Sequence, residues 1–416
     1  MTCIVHLQII RKVYDWSFVL PSNPDVIVVG AGVVGCSVGY YLARRGVKVM
    51  LLEKEAMGSG ASAHATGFLS LLGAEFSPGP SFEMGIASYK EFDHLADDLE
   101  QLTGIDLLFQ RRPSLRLALS DDEADLIQDM MVWQQEKINM HWIDGDEVRK
   151  IEPRLSQSVI GAVYEDESIQ LDSYRLNLAL GQGAESLGAS LVQREVVGLI
   201  SDGNRITGVS TRSGDVYSDS VIIAAGTWSR VFSSFLSFPI PVIPMKGERL
   251  QLRFDGDPLE VLISSPKRGH MISRMDGLLS VGSTGGRDYD ERELFGGEEF
   301  DRKPSQSARL ELLQRAIDVF PGLEDAELVD QLAGSRPLSP DTKPIIGPVP
   351  GWDGVFIATG HTTKGIHLGP ITGRMISEWY LDGKCDCISN VDLFLPDRFS
   401  DTDLSSFYRA SKLVDE

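Results

Sequence analysis

The chain has 416 residues, 42 % of them apolar and 24 % charged, the balance of an ordinary globular protein. Lysine and arginine total 39 against 60 aspartates and glutamates, a formal net charge of −21; such a surface repels phosphate backbones and anionic lipid, which argues against nucleic acid or a bare membrane as partner. The length exceeds what one simple core needs and suits two or three interleaved domains.

No apolar run approaches the roughly 18 residues that span a bilayer, so no transmembrane segment is expected. The opening "MTCIVHLQIIRKVYDWSFVL" breaks its apolar residues with His6, Gln8, Arg11 and Lys12 and shows no small-residue cleavage site, unlike a signal peptide. The cysteines give neither a zinc spacing nor a disulfide framework. Cys385 and Cys387 stand too close for an easy bridge, Cys36 falls in a predicted helix, and Cys3 lies in the opening extension. A cytoplasmic location and no metal site are the expectations.

Residues 1–23 precede any strong pattern. From Asp25, "DVIVV" reads as a buried strand, "GAGVVGCSVGYYLARRG" as a glycine turn opening a helix that stops at Gly46, and "KVMLLE" as a second strand. Phe82, Ile86, Tyr89, Phe92, Leu95, Leu99 and Leu102 recur at helical spacing, with Gly104 as the stop. "SLRLAL" (114–119) alternates like a half-buried strand, and "SDDE" from Ser120 predicts a capping box for the next helix. A helix near 173–187, a strand "ASLVQ", a hairpin in "ITGVSTRSGDVYSDS" and the strand "VIIAAG" follow. Further on come a helix near 305–319, short strands "PIIG" and "VFIATG", and a final helix from about Ile371.

Gly30, Gly32 and Gly35 form G-x-G-x-x-G directly after a strand and at the start of a helix. The first permits the tight turn, the second lets the backbone approach a pyrophosphate, and the third lets helix and strand pack closely; the phosphates then sit on the positive end of the helix. Glu53 ends the next strand, where a carboxylate can bond a ribose diol. A second small-residue turn over 58–67 follows at once. "AAGTWS" (224–229) and "ATGHTTKG" (358–365) end strands far downstream, and these read as pieces of one flavin site gathered from distant parts of the chain.

Together with "LDSYRL", "PMKGERLQL", "AGSRPLSPDTKPIIGP" and "ATGHTTKGIHLGPITGRM", in this order, these segments resemble the D-amino-acid-oxidase-like flavoprotein superfamily, its glycine-oxidase-like members above all. The resemblance covers roughly residues 24 to 385. It implies an α/β fold with an α+β substrate domain: a discontinuous Rossmann-like FAD-binding domain (24–104, 156–235 and 330–395) and an interleaved antiparallel-sheet substrate domain (105–155 and 236–329). Residues 1–23 are left as an extension and 396–416 as a tail. It implies bound FAD, contacted by Gly30, Gly32, Val33, Val34, Gly35, Glu53, Lys54, Ser62, His64, Ala65, Thr66, Gly67, Val196, Ala225, Gly226, Trp228, Gly334, Arg336, Gly360, His361, Thr363, Lys364, Gly365 and Ile366. In such proteins hydride passes from the α-carbon to flavin N5, and the imine then hydrolyses.

Arg336, in "AGSRP", matches the arginine that holds the substrate carboxylate, a task for which a guanidinium's parallel donors are suited. Lys246, Gly247 and Glu248 match a K-G-E turn between the domains, with a structural role expected. Lys364 and His367 fall near the flavin's pyrimidine edge, before a helix whose dipole would stabilise negative charge there. Two departures bear on the substrate. Glycine-oxidase-like enzymes place a tyrosine over the flavin where "SPKRGHMISRMDG" has His270, which could bond substrate or titrate near neutrality. Residues like "FRNG" after their "GH" are replaced by "TTKG".

His64, in "SAHATG", is similar to the histidine of the dimethylglycine dehydrogenase branch, which bonds covalently to the flavin; covalent linkage and simple packing stay open. The expected function is FAD-dependent oxidation of a small or N-methylated amino acid, with oxygen or another electron acceptor. A 2-hydroxy-acid dehydrogenase and a non-catalytic FAD-binding assembly factor are the alternatives. The partner is a small carboxylate substrate, with a homo-oligomer or partner electron acceptor left open.

Overall fold

The computed structural model describes residues 24–72, 76–284, 302–400 and 402–404. The expected 1–23 extension and the last part of the 396–416 tail lie outside the described residues. The opening pattern folds as a strand Val26–Val29, a helix Val33–Arg44 and a strand Val49–Glu53. All four residues of the first strand are buried, because both of its faces are covered. Val26 and Val28 pack into one core with the helices, and Ile27 and Val29 into another on the opposite face.

This strand lies inside a six-stranded sheet in the order Ile345–Pro348, Val355–Thr359, Val221–Ile223, Val26–Val29, Val49–Glu53, Ser190–Gln193. Its pairs are parallel except the one between Ile345–Pro348 and Val355–Thr359. Beside it the hairpin Arg205–Thr211/Gly214–Tyr217 pairs with Val196–Asp202 in a three-stranded sheet.

A nine-stranded sheet carries the other half of the fold. Its order runs Glu327–Leu338, Ile243–Arg253, Leu279–Gly282, Gly269–Ser273, Leu262–Ser265, Gln110–Ala118, Gly161–Gln170 and Phe68–Leu69, with Met140–Asp144 also paired to Gly161–Gln170. It is antiparallel except where Leu262–Ser265 runs parallel to Gln110–Ala118. Leu115, Leu117, Leu250, Leu252, Ile263 and Val281 form its core with Leu312 and Ala316 of the helix Gln306–Val319. Gly161–Gln170 and Phe68–Leu69 belong to this sheet although they lie in the expected cofactor segments, so the chain crosses between the halves more often than those segments imply.

Three local readings need correction. The final helix is Gly365–Asp382, starting before Ile371, with Pro370 inside it; the proline removes one helical donor without stopping the helix. Ser120 caps the helix Asp121–Gln134 through the Glu123 amide, but Glu123 accepts from Leu119 N instead of returning to Ser120, so no capping box forms there. A reciprocal box does form between Asp144 and Glu147. Lys246, Gly247 and Glu248 lie within the long strand Ile243–Arg253 and not in a turn. Their structural role is visible, since Lys246 Nζ and Glu248 Oε1 meet at 3.2 Å, both buried, and Glu248 also accepts from Ser305 and Gln331. The helix Pro80–Thr103 ends at Gly104 as its spacing predicts.

Candidate active site

A cavity of about 380 Å³ is walled by both large sheets. Val29, Glu53 and Thr359 bring to it the carboxyl ends of parallel strands, the usual place for a ligand in an open α/β sheet. His270, Arg249 and Arg336 bring the nine-stranded sheet. Of the residues expected at the site, Gly35 and Gly360 stay out of the wall and all others line it.

Gly35 acts from behind the wall. A Cβ on it would stand 2.0 Å from Gly30 O, and one on Gly30, at φ +105, would stand 2.6 Å from Ala224 O. The strand, turn and helix can close only with glycine at both positions. The helix that follows has no acidic residue in its first turn, and its Val33 amide donates to Ser62 Oγ at 2.9 Å, a hydroxyl from the second small-residue turn. Glu53 is fixed at the wall because Oε2 accepts from Ala31 N at 2.8 Å and Oε1 from Glu55 N at 2.9 Å. Lys54 Nζ sits 3.8 Å from the centre of the Trp228 ring, so the two expected cofactor contacts also hold each other.

His64 lies half-buried in the wall with Nδ1 buried and lacking a hydrogen-bond partner, while its carbonyl accepts from Arg249 Nε at 2.8 Å. Burial, with the nearby Arg249 charge, shifts this imidazole downward from its ordinary value. The second small-residue turn packs on Gly334, where an added Cβ would lie 3.2 Å from His64 Cβ.

Strand pairing sets a row of residues facing the cavity. Arg116 pairs with Ser264, Ser264 with His270, His270 with Gly282 and Gly282 with Arg249. Directly paired residues share a face, so arginines stand at the two ends and an imidazole between them. His270 Nε2 meets Thr66 Oγ1 at 2.5 Å. Burial, then the Arg336 and Arg249 charges, push it down to about 3, so it does not titrate near neutrality as one sequence reading allowed.

Arg336 donates to Thr284 O at 2.9 Å and to Ser283 Oγ at 2.8 Å. Its head lies across Gly247, where a Cβ would be 2.2 Å from Cζ, so this glycine makes the space that the guanidinium fills.

The final helix begins at the cavity, with Gly365, Ile366 and His367 in the wall and no acidic residue in its first turn. His361 bonds Thr372 Oγ1 at 2.9 Å, and His367 Nε2 lies 3.2 Å from Gly85 O. Burial foremost, with Lys364 nearby, pushes His361 down to about 3 and His367 to about 4. Both are held neutral at the cavity wall. Lys364 is buried, its Nζ 5.8 Å from the Phe76 ring centre.

Sequence reasoning assigned no role to Arg116 and Arg249, both nearly fully buried at the cavity. The signal was present in "SLRLAL" and "GERLQL", where an arginine takes the face opposite the leucines of an alternating strand, but which face the cavity takes depends on distant pairing.

The arrangement fits a dinucleotide. Two helix starts without acidic side chains face one cavity, a fixed carboxylate ends the second strand, and glycines keep the backbone bare at the first turn. The family described as "FAD dependent oxidoreductase" matches residues 25–379, and the chain belongs to it. A glycine oxidase of Geobacillus kaustophilus is 30 % identical over 357 residues, covering 85 % of this chain and 92 % of that one. The crystal structure of glycine oxidase from Geobacillus kaustophilus superposes with a TM-score of 0.83 at 30 % identity, over 90 % of this chain and 99 % of that one. A glycine oxidase structure from Bacillus cereus gives 0.79 at 32 %, over 88 % and 96 %. Among the described residues no helix is long and apolar enough to cross a membrane.

Proposed function

We propose that this FAD-dependent oxidoreductase oxidises the C–N bond of a small amino acid or N-methylated amino acid, of the glycine, sarcosine or D-amino acid kind, to an imine that water converts to the oxo product. Bound FAD supplies the two-electron acceptor, and oxygen or another acceptor takes the electrons onward. The single observation that carries the substrate assignment is Arg336. A half-buried guanidinium is held against the cavity wall by Thr284 and Ser283, in a space that Gly247 vacates. Such a planar donor set suits a carboxylate, and binding it there orients the α-carbon toward the cofactor side of the cavity.

The remaining residues have supporting roles in this reading. The Val33 and Gly365 helix starts favour negative charge, on the diphosphate and on the reduced ring respectively. Glu53 bonds the ribose. The neutral His270, anchored on Thr66, offers a hydrogen bond to the substrate without competing for its proton. His64 contacts the cofactor, and acid precipitation tells a covalent bond, which retains flavin on the chain, from packing, which releases it.

Turnover of glycine, glycinamide and glycolate tests the assignment. Glycine should be oxidised with release of ammonia, and glycinamide, lacking the carboxylate, should fail. Oxidation of glycolate alone would replace the amino-acid reading with the 2-hydroxy-acid one. A flavin-bearing protein that turns over no amino or hydroxy acid would favour the assembly-factor reading.

A further inference from the structure

Away from the cavity, the last turn of the helix Gly365–Asp382 carries Glu378, and the chain then folds back over it. The Glu378 Oε2 atom accepts from Asp386 N at 2.8 Å and from Cys387 N at 2.9 Å, so one carboxylate oxygen shapes the returning loop. That loop reads Cys385-Asp386-Cys387, and the two thiols converge with their sulfurs 3.5 Å apart. One oxygen of Glu378 and both sulfurs lie within 4.8 Å of one another, and all three residues are half-buried. This is the only such cluster of metal-ligating side chains among the described residues.

We propose that Glu378, Cys385 and Cys387 form a binding site for one thiophilic divalent cation of the zinc class. A tetrahedral ion with bonds of about 2.3 Å to sulfur separates two thiolates by roughly 3.8 Å, so the sulfurs need to part by only a few tenths of an ångström. Two soft sulfur ligands select such an ion over calcium or magnesium, which take oxygen sets. Glu378 retains coordination capacity at Oε1, where Arg374 Nε is its hydrogen-bond donor at 3.1 Å. Arg374 is itself held by Glu91, and its charge offsets part of the negative charge that two thiolates and a carboxylate would gather.

Cys387 also borders a second cavity, of about 420 Å³, beside Glu91, His94 and Asp98, which gives the ion an approach from solvent and leaves room for water in the fourth position. Binding releases the two thiol protons and involves no change of oxidation state. The C-x-C spacing did not read as a metal set because the third ligand lies a helical turn back and is brought in by the Glu378 hydrogen bonds. The site ties the returning loop to the helix whose other end faces the active-site cavity.

The test uses the full flavin-loaded chain, reduced and freed of metal, then mixed with excess zinc chloride and desalted under argon. Wild type should retain one more zinc per chain than Cys385→Ser/Cys387→Ser, and zinc should protect two thiols per chain from a thiol reagent. Glu378→Gln should weaken retention tenfold or more. An unchanged flavin spectrum in the double variant shows that its fold is intact, since neither cysteine lines the active-site cavity. Equal zinc in wild type and double variant, or thiol reactivity indifferent to zinc, overturns the proposal.

Discussion

Val26–Glu53 and the nine-stranded sheet wall the same cavity, yet they reach it by different routes. The first is one continuous stretch, in which strand, glycine turn, helix and carboxylate follow each other and contact what is next to them. The second brings Arg116, Arg249, His270 and Arg336 together through strand pairing across long separations in sequence. The Val26–Glu53 unit is specified locally, and the wall that carries the arginines depends on register. A one-residue slip in a strand of that sheet would turn its side chain away from the cavity.

That contrast can be broken or sharpened by mutation. The largest effect is expected at Gly35→Val. A side chain there meets Gly30 O, so the unit cannot close, and the protein should lose flavin and about 3 kcal/mol or more of stability. Flavin content and a denaturant midpoint check this; a stable, flavin-bearing variant would contradict local specification. Arg336→Ala should leave flavin content unchanged and raise KM for amino acid substrate about 100-fold, as expected when a charge-assisted carboxylate contact worth roughly 3 kcal/mol is lost. Steady-state kinetics with an unaltered KM would remove Arg336 from the substrate site.

The buried histidines give a pH test. His361 and His367 have folded-state values of about 3 and 4, against an ordinary value of 6.5. A depressed histidine is neutral when folded, so its contribution is fully present above about pH 6.5 and is lost as pH falls toward the folded value. At pH 5 each should cost about 2 kcal/mol, and His361→Asn should flatten the acid limb by about one proton. Thermal melts from pH 7 to 4.5 show this, and a melting temperature flat across that range would contradict it. The smallest effect belongs to Ser62→Ala, which removes the acceptor of Val33 N and should weaken flavin binding by about 1 kcal/mol, roughly fivefold. A titration of the apoprotein with FAD measures it.

Legibility in the sequence follows the same division. The opening unit, the helix ending at Gly104 and the hairpin near 205–217 were readable because each is decided by residues within a few positions. The order of the nine-stranded sheet was not, since many of its strands are short and buried, and buried runs carry little alternation. Arg336 was readable only through resemblance; nothing local says that Gly247, on a neighbouring strand, makes room for it. His270 was located by resemblance, but its protonation depends on burial and on two arginines from other strands. The start of the last helix was misplaced because Pro370 resembles a first-turn residue when its neighbours in space are unknown.

The central claim is that a carboxylate held by Arg336 delivers a small amino acid to bound FAD. Anaerobic titration of the flavin-loaded protein with glycine, sarcosine, dimethylglycine, D-alanine, D-proline and L-proline tests it most directly, with the flavin's visible absorption as readout. Bleaching by at least one of these in wild type, and only at far higher concentration in Arg336→Ala, is the predicted result. A full complement of flavin that none of them reduces, or bleaching that is the same in both proteins, would contradict the account.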